Sequence, residues 1–86
     1  MQTYILTEHA LMQMRRRGIT VDHVLQVMTS PEQKVDLREG RVVYQSRLLF
    51  GKTTHLFLVR VFVDVDRVPN EVVTVYRTSK INKYWR

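Results

Sequence analysis

The feature that most restricts what this chain can fold into is a change of hydrophobic period at Pro31. Upstream of it, apolar residues recur at helical spacing: Ala10, Leu11 and Met14 in one segment, then Val21, Val24, Leu25 and Met28 in the next. Thr7, followed by Glu8, is placed to cap the first helix, and Gly18 to end it in the left-handed conformation. Thr20 caps the second helix, and Ser30-Pro31 closes it because the residue before proline is driven out of helical angles. Downstream the period is two. In the strongest segment, 55–65, Phe57, Val59, Val61, Val63 and Val65 alternate with Leu56, Leu58, Arg60, Phe62 and Asp64. Turns are expected at Glu39-Gly40, at Gly51-Lys52-Thr53-Thr54, and at Asp66 to Glu71 around Pro69-Asn70. The pattern predicts helices near 8–17 and 21–29 and strands near 33–38, 41–50, 55–65 and 72–79. The expected fold is therefore α+β, with two N-terminal helices packed on one face of a four-stranded antiparallel sheet. Residues Met1 to Leu6 form a β-like lead-in whose Tyr4, Ile5 and Leu6 are available to pack.

At 86 residues, without repeat or low-complexity linker, the chain is expected to be one domain spanning 1–86. There is no cysteine, so disulfide and thiolate chemistry are excluded. No apolar run approaches a membrane span and no signal-peptide pattern opens the sequence, so the expected location is the cytoplasm, without membrane contact. The formal charge is +6, from 14 Lys and Arg against 8 Asp and Glu, which favours a polyanionic partner: nucleic acid or an acidic protein. His9, His23 and His55 are widely separated and lack a metal-ligand spacing, so neither metal nor other cofactor is expected.

Two stretches carry candidate chemistry. The first is near the C-terminus, where the strand-like Val72-Val73-Thr74-Val75 runs into Tyr76-Arg77-Thr78-Ser79-Lys80 and then Lys83-Tyr84. By strand alternation Tyr76, Thr78 and Lys80 share one face, and Val73, Val75, Arg77 and Ser79 the other. Such a row either holds hydroxyls and cations on a rigid support or is a strand fraying into solvent. The second stretch is the flank of the first helix, with His9, Gln13, Arg16 and Arg17 about one turn apart. Cations at a helix C-terminus complement its dipole, but Arg17 beside Gly18 is also placed to fold back across the sheet towards a phosphate. A helix-turn-helix reading of Thr7 to Met28 fits the charges poorly: the would-be recognition helix offers Asp22, His23 and Gln26, while Arg15-Arg16-Arg17 lies on the other one.

The segments His9-Ala10 through Arg17-Gly18-Ile19-Thr20 and Thr74-Val75-Tyr76-Arg77-Thr78-Ser79-Lys80-Ile81-Asn82-Lys83-Tyr84 together resemble a family of small bacterial domains of unknown function. Gln13 departs from that pattern, in which arginine is frequent, and Arg16 is the candidate substitute. The family in turn resembles the RelE and BrnT class of ribonuclease toxins, which implies a RelE/BrnT-like fold and a toxin paired with an antitoxin. The activity implied is metal-independent cleavage of RNA, expected to be mRNA, with its own 2′-hydroxyl as nucleophile. On that resemblance His9 is the acid or base, Arg17 and Lys80 stabilise the phosphate, and Thr78 and Ser79 orient it. Tyr76 or Tyr84 would stack on a base, with Arg16, Arg77 and Lys83 completing the RNA-binding set. Thr78 and Ser79 serve together only where the strand twists or bulges. The antitoxin would lay acidic side chains over Arg17, Arg77 and Lys80, with Leu56, Leu58 and Phe62 either its apolar anchors or packed beneath Tyr84-Trp85. The alternative is a basic nucleic-acid- or protein-binding module of the same fold without chemistry.

Overall fold

The computed structural model describes residues 3–51 and 55–86. Met1 and Gln2 of the lead-in and Lys52 to Thr54 of the second expected turn lie outside the described residues. In chain order the elements are β1 (Tyr4–Leu6), α1 (Glu8–Arg17), α2 (Val21–Thr29), β2 (Gln33–Arg38), β3 (Arg41–Phe50), β4 (His55–Asp64), β5 (Asn70–Thr78) and α3 (Ile81–Tyr84). Strands stand in the order β1-β5-β4-β3-β2.

The expected four-stranded antiparallel sheet under two helices is corrected by this arrangement. The sheet has five strands and is mixed, because the lead-in is a strand paired parallel to β5, with Tyr4 opposite Asn70, Ile5 opposite Glu71 and Leu6 opposite Val72. That pairing also draws the start of β5 back to Asn70. The RelE/BrnT-like description of the fold falls with the sheet on which it rested. A third short helix, α3, follows where the sequence suggested a strand end and tail. Local pattern could not reveal either feature: β1 is three residues long with a partner more than sixty residues away, and α3 is a single turn.

Helix termini follow from their capping residues. The Thr7 hydroxyl accepts from the Ala10 N–H at 3.2 Å and donates to the Val72 carbonyl at 3.0 Å, so one side chain starts α1 and ties it to β5. Gly18 ends α1 at φ 64°, a conformation that costs a side-chain-bearing residue more than glycine. In α2 the Thr20 hydroxyl accepts from His23 N–H while His23 Nδ1 accepts from Thr20 N–H at 3.0 Å, a capping box closed by histidine.

One sheet face is covered by α1 and α2. Ala10, Met14, Ile19, Val24, Val27 and Met28 meet Tyr44, Leu48, Phe50, Val59, Val61, Val63, Val72 and Val75 there. Between Phe62 and Val63 the β4–β5 register shifts, leaving Val73 as the extra residue, so Val72 and Val75 both reach this core. The opposite face is closed in part by α3 and the residues after it, over Val43, Gln45, Leu58 and Arg60, all buried. Gln45 donates to the Tyr84 carbonyl, and Gln33 bonds the Arg86 backbone through both amide atoms. Trp85 lies under Arg47, whose guanidinium carbon is 4.2 Å from the ring centroid and which is itself paired with Glu32. Among the described residues no helix is long and apolar enough to cross a membrane.

Candidate nucleic-acid interface

The face closed by α3 carries a cluster built from adjacent strands. Arg60 of β4 lies directly across from Tyr76 of β5, and Gln45 of β3 flanks it on the other side. Arg60 is 7% exposed. Its Nε donates to Gln45 Oε1 at 2.9 Å and its Nη1 to the Tyr76 hydroxyl at 2.8 Å. The guanidinium carbon is 4.4 Å from the Tyr84 ring centroid, 5.3 Å from Phe62 and 5.8 Å from Tyr76. Among the described residues no carboxylate pairs with it. A buried cation is expensive unless compensated, and here ring faces and two neutral oxygens supply the compensation.

Tyr76 stacks on Phe62 and meets Tyr84 edge-on, at centroid distances of 5.8 and 6.3 Å. Lys83 Nζ lies 5.4 Å from the Tyr84 centroid, and the Arg17 guanidinium carbon 5.9 Å from that of Tyr76. Arg17 also reaches the edge of β5, with Nη1 at 3.4 Å from the Val75 carbonyl. The Tyr76 hydroxyl, then the Lys83 and Arg60 charges, hold the Tyr84 phenol below the ordinary tyrosine range.

Tyr76, Lys83 and Tyr84 are thus brought together, with Arg17 arriving over the strand edge. Arg77 points to the other face, 4.3 Å from the Phe50 centroid and 4.7 Å from that of Phe57. Thr78 is the last residue of β5, and its hydroxyl accepts from the Lys80 N–H at 3.1 Å. Ser79 and Lys80 are exposed in the turn into α3, so Thr78 and Ser79 are separated by the strand end rather than gathered by a bulge. Arg16 is exposed at the end of α1. His9 lies elsewhere, in a shallow depression lined with Glu8, Leu11, Met12 and Arg15, its Nε2 3.5 Å from Gln13 Nε2. Arg17 comes eight positions after His9, about 12 Å along the helix axis at 1.5 Å per residue. The suggested apolar anchors divide: Leu58 is buried, Phe62 lies under Tyr76, and Leu56 stays partly exposed beside Leu49.

Sequence reasoning missed Arg60 and Gln45 as functional candidates. The signal was an arginine in the middle of the most apolar strand, flanked on its own face by Leu58 and Phe62. Among the described residues no three His, Cys, Asp or Glu side chains converge.

Fold and cluster together define a small α+β domain with a cationic and aromatic face on its mixed sheet. Residues 6–77 match the model of the domain-of-unknown-function family DUF4258, and the chain belongs to that family. No curated protein and no solved structure matches it. The matched stretch carries Arg17, Arg60 and Tyr76, whereas Lys83 and Tyr84 lie beyond it.

Proposed function

We propose that this domain binds single-stranded RNA across the Arg60–Tyr76–Tyr84 face and cleaves it there through the RNA's own 2′-hydroxyl, as a toxin held in check by an acidic partner protein. The observation that carries the reading is Arg60, a buried guanidinium between two tyrosines with no carboxylate paired to it among the described residues. A phosphate would supply the missing charge, while tyrosine rings suit unstacked bases. In the cleavage step, charge builds on the phosphorane oxygens, and Arg60, Arg17 and Lys83 are the cations nearest the tyrosines. The acidified Tyr84 phenol is the group on this face suited to proton transfer. Lys80, Arg16 and His9 would then guide the strand's approach, and Thr78 and Ser79 would bond its backbone. On this reading the site of action is the cytoplasm and the relevant substrate is mRNA.

A second reading, binding without chemistry, is favoured by the position of His9, which is remote from the tyrosine cluster. One experiment separates the two. A labelled single-stranded RNA and the same strand with a 2′-deoxy substitution are incubated with wild type, Arg60→Gln and Tyr84→Phe, in chelator. Products from RNA but not from the substituted strand, lost in Tyr84→Phe while binding persists, support the nuclease. Binding without product leaves the binding module, and no binding by the wild type ends both readings.

A further inference from the structure

We propose that Arg77 anchors a second oxyanion site, on the helix-covered face at the end of the sheet, which holds a phosphate group with the help of His23. This goes beyond the RNA reading and does not depend on it, because the residues lie on the opposite face from Arg60.

The Arg77 guanidinium rests on Phe50 and Phe57, the two rings meeting edge-on at 5.6 Å, so its position is set by packing rather than by hydrogen bonds. Arg41 is paired with Asp64, Arg47 with Glu32, and Arg67 with Asp64 and Glu71. Arg60 bonds Gln45 and Tyr76, and Arg17 the Val75 carbonyl. Arg77 has no hydrogen-bond or ion-pair partner among the described residues, although it is partly buried. A guanidinium fixed through its face keeps its in-plane N–H donors for a ligand, and a planar fork of donors matches phosphate geometry.

His23 supplies a second donor. Its ring packs on Phe50 at 4.4 Å, the same ring that supports Arg77. Because Nδ1 accepts from the Thr20 N–H, the neutral imidazole carries its proton on Nε2 and presents a donor there. The groups acting on His23 are Arg77 from β5 and Asp22 from its own helix, with His55 of β4 reaching the cluster through Phe57. Burial first, then the Arg77 charge, lowers the proton affinity of His23, against the opposing pull of Asp22. A bound phosphate would counter the Arg77 field and raise that affinity. Gly18, at the end of α1, borders the site: a Cβ there would stand 3.9 Å from Arg77 Nη2, an ordinary contact distance.

The phosphate could belong to an RNA strand or be free in solution. Histidine Cε1–H resonances are followed by NMR in the full chain while inorganic phosphate is added, and separately while a short single-stranded RNA is added. The expected result is a selective shift of the His23 signal and a raised His23 pKa. Affinity should fall at least about tenfold in Arg77→Met, which keeps the apolar stem on the rings but loses the charge-assisted bonds. Arg77→Lys, with charge but no fork, should be intermediate, and it decides the matter if the methionine variant does not fold. A response to RNA at lower concentration than to phosphate assigns the site to an RNA backbone, and a response to phosphate alone assigns it to a free anion. If neither ligand moves His23, or if a folded Arg77 variant binds as the wild type does, the proposal is overturned.

Discussion

Arg60 is a charge buried without a countercharge among the described residues, and its neighbours decide what its removal costs. Arg60→Gln should lower RNA affinity by at least about tenfold, since a charge-assisted bond to phosphate is worth about 1.5–3 kcal/mol; anisotropy titrations check this. Gln45→Leu attacks the same charge from the side. It strips a partner from Arg60 Nε, Gln33 Oε1 and the Tyr84 carbonyl, all on the face closed by α3. Arg60 keeps the Tyr76 hydroxyl but loses one charge-assisted bond, which should cost about 1.5–3 kcal/mol, read as a shift in the urea midpoint. Gly40 is the other sensitive position. It sits at φ 82°, and an added Cβ would stand 2.8 Å from Asp66 Oδ2. Gly40→Ala should destabilise the β2–β3 turn by about 1–3 kcal/mol on the same assay. His23 gives the pH dependence. Its folded pKa lies below the ordinary histidine value, so the unfolded chain binds more protons in the window between them. Stability is therefore full above the ordinary value and declines as pH falls through the folded one. Urea midpoints taken from neutral to mildly acid pH should fall less in His23→Gln than in wild type.

At the scale of elements, how much was legible depended on whether the signal was local. The α1 and α2 spans could be read because Thr7, Gly18, Thr20 and Pro31 mark their ends in adjacent residues. Tyr76, Lys83 and Tyr84 could be singled out because their polarity breaks a β-branched run within nine residues of sequence. Arg60 could not, because Gln45 and Tyr76 come from 15 residues before it and 16 after it. The separation of His9 from the tyrosine cluster was equally hidden, since shared helix flank says nothing of what stands beside each turn. The C-terminal segment shows the same limit. Trp85→Ala removes the ring under Arg47 and should loosen the tail's hold on Gln33 and Gln45. Backbone amides of Trp85 and Arg86 should then exchange faster, while those of Val59 and Val61 keep their protection.

For the whole molecule, a charge of +6 sets how the domain meets any polyanion. If RNA phosphates are bound directly, the logarithm of the association constant should fall linearly with the logarithm of salt concentration, with a slope of about 0.7 per phosphate neutralised on a single strand. Replacing Arg17 should flatten that slope and weaken all sequences alike. The pairing of β1 with β5 has a consequence for how the chain is made. Ribosomes deliver residues in order, so the first strand emerges long before the strand it joins exists. Until Val72 has been synthesised, Thr7 lacks the carbonyl on which it docks and α1 lacks β5, the strand it packs against most extensively. The β2–β3–β4 meander can pair as it appears, whereas the N-terminal strand and helix must wait. The contact of Arg17 with the edge of β5 therefore forms late, and any activity that depends on it begins only once β5 has been translated.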